Sequence, residues 1–312
     1  MTSNPSRNSG GPNAIGATLG LLGDEWSLLI VRYALAGTRR FGDWRTQVGI
    51  SDAVLSGRLR SLVDGGVLER VRYSQRPPRD EYLLTESGRD LWPVLVAIWS
   101  WERRFVPGRD QVLPEMVHRD CGQVAHSELR CGSCRVRTTA AEVSLALGPS
   151  GAFERSAPVG VFRRRPGTFH ETMEVIGSRW SAALLGAAFL GATRFSEFER
   201  MLGAPPTVVA ERLQRFVDIG VLRPDAGGGE SAGYGLTGKG SALFDVVATM
   251  LRWGERWKGA PDGPAVLATH GDDAHVFLPE LACSACGEAL DAAAIRVDPV
   301  DRVRSGVGRS DG

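Results

Sequence analysis

The sequence predicts a mainly helical α+β protein in which one structural unit is used twice, and three observations predict it. A long stretch of chain recurs in register with itself, which is the signature of a duplicated unit. Apolar residues within that stretch follow helical spacing, interrupted by one alternating segment of the kind that makes a short hairpin. Pairs of cysteine and histidine two residues apart then follow each copy, the spacing of a small ribbon-like metal element.

The repeat is read residue by residue. Leu22-Gly23-Asp24-Glu25-Trp26-Ser27 matches Ile176-Gly177-Ser178-Arg179-Trp180-Ser181 at an offset of 154. The same offset carries Arg40-Phe41 onto Arg194-Phe195, Arg58-Leu59 onto Arg212-Leu213 and Gly66-Val67-Leu68 onto Gly220-Val221-Leu222. Beyond Leu222 the offset is 152, which aligns Leu84-Thr85 with Leu236-Thr237 and Trp101 with Trp253. His118, Cys131 and Cys134 align with His270, Cys283 and Cys286 at that offset too. The chain is a tandem duplication. The expected layout is a tail over 1–12, a first unit over 13–106 with its ribbon over 107–147, and a linker over 148–167. A second unit then covers 168–259, with its ribbon over 260–300 and a tail over 301–312.

Within one unit, Ile15 to Leu35 carries helical spacing broken near Gly23, and Phe41 to Val48 makes a third helix. Ser51 can cap a fourth helix over Asp52 to Asp64, which turns Val54, Leu55, Leu59, Leu62 and Val63 inward and shows Ala53, Ser56, Gly57 and Arg60 outward. Gly65-Gly66 stops it. Val67 to Tyr73 alternates as a strand, Pro77-Pro78 makes a loop, and Glu81 to Leu84 returns. Thr85 caps a long last helix reaching Phe105. Three helices, a hairpin and a further helix is the order of a winged helix, whose fourth helix sits where a recognition helix enters a major groove.

At these residues the chain resembles a known family. Gly-x-x-Trp-Ser-Leu-Leu-Ile-x-Arg, Arg-Arg-Phe-x-x-Trp-Arg, Leu-x-x-Arg-Leu-x-x-Leu-x-x-x-Gly-Val-Leu and Arg-Pro-Pro-Arg-x-Glu-Tyr-x-Leu-Thr-x-x-Gly are similar to the HxlR regulators of bacteria. The match is close over Ile15 to Phe105 and looser over His170 to Trp257. The resemblance implies a winged-helix regulator, typically a repressor, that pairs two-fold and binds double-stranded operator DNA. Many members carry a redox cysteine 13 residues before the matching tryptophan. Here those positions hold Asn13 and Gly167, so the resemblance carries no sensing thiol over.

The expected DNA-binding residues are Ser51, Ala53, Ser56, Arg58 and Arg60 on the fourth helix, with Arg72, Arg76 and Arg79 on the wing. Arg58 is matched by Arg212 and can equally be a structural ion-pair partner. The copies differ in charge: residues 1–110 hold 15 Arg against 12 Asp and Glu, while 170–260 hold ten cations against ten acids. The second recognition helix, from Pro205 to Asp218, offers Thr207, Val208, Ala210 and Glu211, and its wing carries Asp225 and Glu230. Phosphate contact is paid in cations, so the first copy is the better binder. The competing reading is a protein-interaction adaptor whose winged helices no longer touch DNA.

His118-x2-Cys121-x9-Cys131-x2-Cys134 supplies four zinc-type ligands for a structural ribbon, with His126 as an alternative nitrogen, or else three reduced thiols in a degenerate ribbon. The second copy reads His270-x2-Asp273-x9-Cys283-x2-Cys286, a weaker set in which His275 offers a substitute nitrogen.

Net charge is +1, so any footprint on nucleic acid is a local patch. No P-loop, dinucleotide fingerprint, nucleophile elbow or HExxH is present, which argues against an enzyme. The longest apolar run, Leu91 to Ile98, falls far short of the roughly 20 residues of a membrane span. Paired CxxC cysteines fit a reducing, cytoplasmic setting. Trp99, Trp101, Trp253 and Trp257 near the ends of the long helices need a partner surface, so the units are expected to pair, within the chain as a pseudo-dimer or between chains as a homodimer. Room remains for a small-molecule effector that the sequence does not name.

Overall fold

A computed structural model describes residues 12–153, 168–225 and 233–298. The first unit runs α1 (Ala14–Leu22), α2 (Glu25–Leu35), α3 (Phe41–Val48), α4 (Asp52–Asp64), β1 (Leu68–Gln75), β2 (Pro78–Leu84), α5 (Glu86–Arg89) and α6 (Trp92–Phe105). The second repeats it as α7 (His170–Ile176), α8 (Arg179–Phe189), α9 (Phe195–Leu202), α10 (Pro206–Asp218), β6 (Leu222–Pro224), β7 (Tyr234–Leu236), α11 (Gly238–Ser241) and α12 (Phe244–Lys258). The caps follow the chemistry: Asn13, Asp24, Ser51 and Thr85 each accept a backbone N–H at a helix start. Gly49 closes α3 at φ 68°, a left-handed position that suits glycine.

The single last helix expected after Thr85 is two helices, α5 and α6, separated at Asp90-Leu91. The second copy breaks at the equivalent Ala242-Leu243 with Asp245 in place of Pro93, so the break belongs to the repeated unit, and Pro93 is simply accommodated in the first turn of α6. One hydrophobic cluster runs through both units, including Trp44, Leu59 and Ile98 of the first and Phe169, Leu213 and Trp253 of the second.

Two tryptophans tie the units reciprocally. Trp101 Nε1 donates to the Lys239 carbonyl at 3.0 Å, and Trp253 Nε1 donates to the Ser87 carbonyl at 2.8 Å. These are the same bond seen from either side of a pseudo-two-fold axis, since Trp101 and Ser87 align with Trp253 and Lys239. The partner surface that the aromatic helix ends require is thus the other copy in the same chain.

The segments after α6 and α12 do not form two separate ribbons. They supply β3 (Glu115–His118), β4 (Ser127–Cys131) and β5 (Val143–Leu147) from the first copy, and β8 (Val266–His270), β9 (His275–Val276), β10 (Pro279–Cys283) and β11 (Ile295–Asp298) from the second. Strand β4 pairs antiparallel with β10, β3 with β11, and β5 with β8. Every one of those ladders crosses between copies. The linker expected over 148–167 begins as packed chain: Gly148 N–H donates to Ala265, Ser150 is buried, and Asn13 Nδ2 donates to the Ser150 carbonyl. Its basic triplet Arg163-Arg164-Arg165 lies outside the described residues.

Candidate nucleic-acid interface and metal centres

Helix α4 buries Leu55, Leu59 and Leu62 and exposes Ala53, Ser56, Gly57 and Arg60; of the residues expected inward, Val54 is exposed and Val63 half-buried, because the helical period carries both to the flanks of the apolar stripe. Ser51 is exposed and spends its hydroxyl as the cap, accepting from Val54 N–H at 3.4 Å. The β1–β2 hairpin stands beside this helix, and Ser56, Arg60, Val63, Asp64, Arg70 and Tyr82 line a shared groove between them. Arg76 and Arg79 are exposed at the hairpin tip, and neither they nor Arg60 has a carboxylate partner among the described residues. Arg72 is exposed but committed: its Nε lies 2.6 Å from Asp80 Oδ1, and Arg70 pairs with the same carboxylate. Arg58 contacts Asp24 at 3.1 Å, which fits the structural role left open by the sequence.

The second copy presents a different face. Thr207, Ala210 and Glu211 are exposed on α10 and Val208 is half-buried, with Arg212 lying 3.7 Å from Glu211. The strands β6 and β7 are short, Asp225 accepts no arginine there, and Glu230 lies outside the described residues.

The cysteine and histidine residues gather into two clusters, but not the two that the linear spacing suggests. His118 and Cys121 of the first copy meet Cys283 and Cys286 of the second, while Cys131 and Cys134 meet His270 and His275. The correction has a physical reason. Pairing of β4 with β10 brings each CxxC turn beside the other copy's histidine turn, so each cluster takes one pair from each copy. Asp273 is not in either cluster. Its Oδ1 instead accepts from His275 Nδ1 at 2.7 Å, which turns His275 Nε2 toward Cys131 Sγ at 3.4 Å. His126 also stands apart, 3.4 Å from Glu128.

In the first cluster His118 Nδ1 lies 3.4 Å from Cys121 Sγ and 3.3 Å from Cys286 Sγ, and Cys121 Sγ lies 3.9 Å from Cys283 Sγ. In the second, His270 Nδ1 lies 3.4 Å from both Cys134 Sγ and His275 Nε2. The residue after each second position of an x2 pair is left-handed: Gly122, Arg135, Ala274 and Gly287 have φ of 69°, 63°, 50° and 78°. That repeated turn folds the two side chains of a pair toward one point. The thiols are poised as ligands. The Gln123 N–H, with His118, brings Cys121 down to about 7. Burial pushes Cys131 up, but N–H groups of Cys134 and Leu278 and the His275 ring outweigh it, leaving about 6.

A family model described as HxlR-like helix-turn-helix matches residues 21–110 and 175–262. The chain belongs to the HxlR-like family. Both HxlR segments end before the clusters begin, so strands β3 to β5 and β8 to β11 lie outside the matched regions. The uncharacterized HTH-type transcriptional regulator Rv3095 of Mycobacterium tuberculosis is 40% identical over 136 residues, covering 44% of this chain and 86% of the relative. YdeP of Bacillus subtilis, also named an HTH-type transcriptional regulator, is 35% identical over 89 residues, 28% of this chain and 70% of the relative. The reduced form of the transcriptional regulator YodB from B. subtilis is 31% identical, covers 28% of this chain and 86% of its own, and superposes with a TM-score of 0.26. The protein is therefore a transcriptional regulator of the helix-turn-helix type. Among the described residues no single helix is long and apolar enough to cross a membrane.

Proposed function

We propose that this HxlR-family chain binds double-stranded DNA in a sequence-specific manner, with α4 in the major groove and the β1–β2 wing on the backbone. The observation that carries the reading is the shared face of α4 and its hairpin, where Arg60, Arg76 and Arg79 stand exposed with no carboxylate partner among the described residues. Unpaired guanidiniums beside a helix of small polar side chains suit phosphate contact and base-edge readout. Ser51, Ala53 and Ser56 give α4 room to approach the groove. Arg72 and Arg58 contribute less, since Asp80 and Asp24 already neutralise them. Repression by occupying its site is the simplest consequence. A gel shift of the purified chain on its own upstream region tests this: a salt-sensitive, competitor-resistant shift is expected, and no shift on that region or on random duplex would leave the adaptor reading.

Zinc fits both clusters. Tetrahedral zinc, with Zn–S about 2.3 Å and Zn–N about 2.0 Å, sets its donors roughly 3.3–3.8 Å apart. Six donor pairs stand 3.3–3.9 Å apart, close to that size, and all donors of a cluster lie within 4.8 Å of one another. One cluster offers three sulfurs and a nitrogen, the other two of each, and neither leaves a position open for catalysis. His118, Cys121, Cys283 and Cys286 would hold one ion, and Cys131, Cys134, His270 and His275 the other. Asp273 then acts as the carboxylate that fixes the His275 tautomer. The ions' contribution is structural, locking copy to copy, and thiolate ligation of this kind suits a reducing, cytoplasmic setting.

A further inference from the structure

One face of α12 borders a half-open apolar cavity of about 510 Å³, walled on its other sides by β8, the chain after β9 and Leu145 of β5. Phe244, Ala248 and Phe277 form its buried floor, and Leu267, Val276 and Leu278 stand exposed around its mouth. This volume lies within the range of small-molecule sites.

The first copy shows what is missing. At the positions of Phe244, Ala248 and Leu251 it carries Trp92, Val96 and Trp99, which pack into the second hydrophobic cluster. The second copy has lost two indole rings from the floor. At the mouth, Leu267 and Leu278 replace Glu115 and His126, so a polar rim has become an apolar one. Losing volume while gaining exposed apolar surface costs stability twice over unless something fills the space. The polar side chains in the wall are few: Arg252 donates to the Pro279 carbonyl, Glu255 accepts from Ala265 N–H at 2.7 Å, and Thr269 is the third. The rest of the lining is apolar, which favours an uncharged ligand.

From these observations we infer that the cavity is an effector site for an uncharged, planar aromatic molecule of roughly 15–25 non-hydrogen atoms. The same helix carries the signal outward. From its other face Trp253 Nε1 donates to Ser87 and Trp257 Nε1 donates to Asp90 Oδ2 at 2.7 Å, and at its C-terminal end Lys258 Nζ donates to the Gly65 carbonyl at 2.7 Å. Gly65 closes α4, so a ligand that shifts α12 bears on the end of the helix proposed to read DNA. This regulatory half rests on the DNA-binding reading; the binding site does not.

The test titrates the full chain with Nile red, an uncharged planar aromatic dye, and follows its fluorescence. Saturation at one dye per chain is expected. A double variant carrying the first copy's residues, Ala248→Val with Leu251→Trp, should weaken binding at least about tenfold. Leu267→Glu, at the exposed mouth, should do the same without touching the core, which keeps the test valid should the double variant fold poorly. Non-saturable binding, or binding unchanged by Leu267→Glu, would overturn the site. Dye binding seen only after deletion of residues 299–312 would give the cavity to the chain's own tail and overturn it too. In a separate arm, saturating dye should change affinity for the upstream DNA at least about threefold; a protein that binds DNA with unchanged affinity overturns the regulatory half alone. A protein that saturates with dye and never binds DNA refutes the DNA reading and leaves the site standing.

Discussion

The two copies meet through equivalent helices, yet they solve the same contact by opposite means. Where α1 approaches α12, Gly254 removes its side chain: a Cβ there would lie 2.5 Å from Thr18 Oγ1 and 2.7 Å from the Ala14 carbonyl. At the equivalent contact, α6 carries Glu102 against α7. That carboxylate is fully buried, accepts from both the N–H and hydroxyl of Thr172, and has Arg109 at 3.6 Å. One side is closed by volume and the other by charge and hydrogen bonding. Thr18 and Thr172 are themselves the same repeat position, so the difference arose on one side only. A two-fold dimer of identical chains would have to accept each substitution twice. A tandem chain specialises its halves separately, and the contrast between Ser56, Gly57 and Arg60 exposed on α4 and Ala210, Glu211 and Gln214 at the same positions of α10 is the same freedom at the surface.

The largest expected effect tests how far the halves depend on each other. Cys131→Ser removes a ligand from a cluster whose histidines belong to the second copy. Elemental analysis should fall from about two zinc ions per chain to about one, with a stability loss of several kcal/mol, roughly 10 °C in Tm. Two ions retained at unchanged Tm would break the exchanged-cluster reading.

Asp245 has no equivalent in the first copy, where Pro93 stands. Burial, only partly offset by Arg104, pushes its carboxyl up to about 7. The folded state therefore holds the proton more tightly than the unfolded chain does. Stability from this group is full below the usual carboxylate range and is lost as pH rises toward 7 and above. Asp245→Asn should flatten that loss and raise stability at pH 8 by at most about 4 kcal/mol. Urea midpoints of parent and variant at pH 5 and 8, in zinc-containing buffer, check it, and parallel pH dependence would refute it.

Changing Arg76 and Arg79 together to Ala should weaken DNA binding roughly tenfold at low salt and flatten the salt slope by about one unit per lost phosphate contact. Arg223→Ala, on the second hairpin, should leave both nearly unchanged; an equal loss would mean that the two faces bind alike. The smallest effect is expected from Asp273→Ala, which leaves all eight ligands and removes only the support of His275. Competition with a chelator should show one of two sites weakened by about 10–100-fold.

The duplication, the helix boundaries of α4 and the need for a tryptophan partner were legible because each is written in local spacing or in register. Ser51 and Thr85 announce their caps, and Trp101 and Trp253 their shared role. The cluster membership was not legible. His118-x2-Cys121 and Cys131-x2-Cys134 look complete as one set, and nothing in linear order shows that β4 pairs with a strand of the other copy. Asp273 sits at a ligand's place in the repeat, and only the geometry shows it gripping His275. Pro93 hints at the break at Asp90-Leu91, but the same break at Ala242-Leu243 carries no proline and was not legible. Arg72 looked free because Asp80, across the hairpin, becomes its neighbour only once the strands pair in register.

The ladder between β4 and β10 sets Leu129 opposite Leu281, 152 residues later in the chain. At ribosomal speeds of about 5–20 residues per second, that separation is a wait of roughly 8–30 s. During it the first copy has left the ribosome with Cys121, Cys131 and Cys134 made and half of each metal set still unwritten. Its helices can pack at once, but its clasp cannot close until the second copy has been translated almost to its end. The protein therefore has a built-in order of birth: a helical unit whose partner face is still open, with its thiols uncovered, and then a single late step that finishes both halves together.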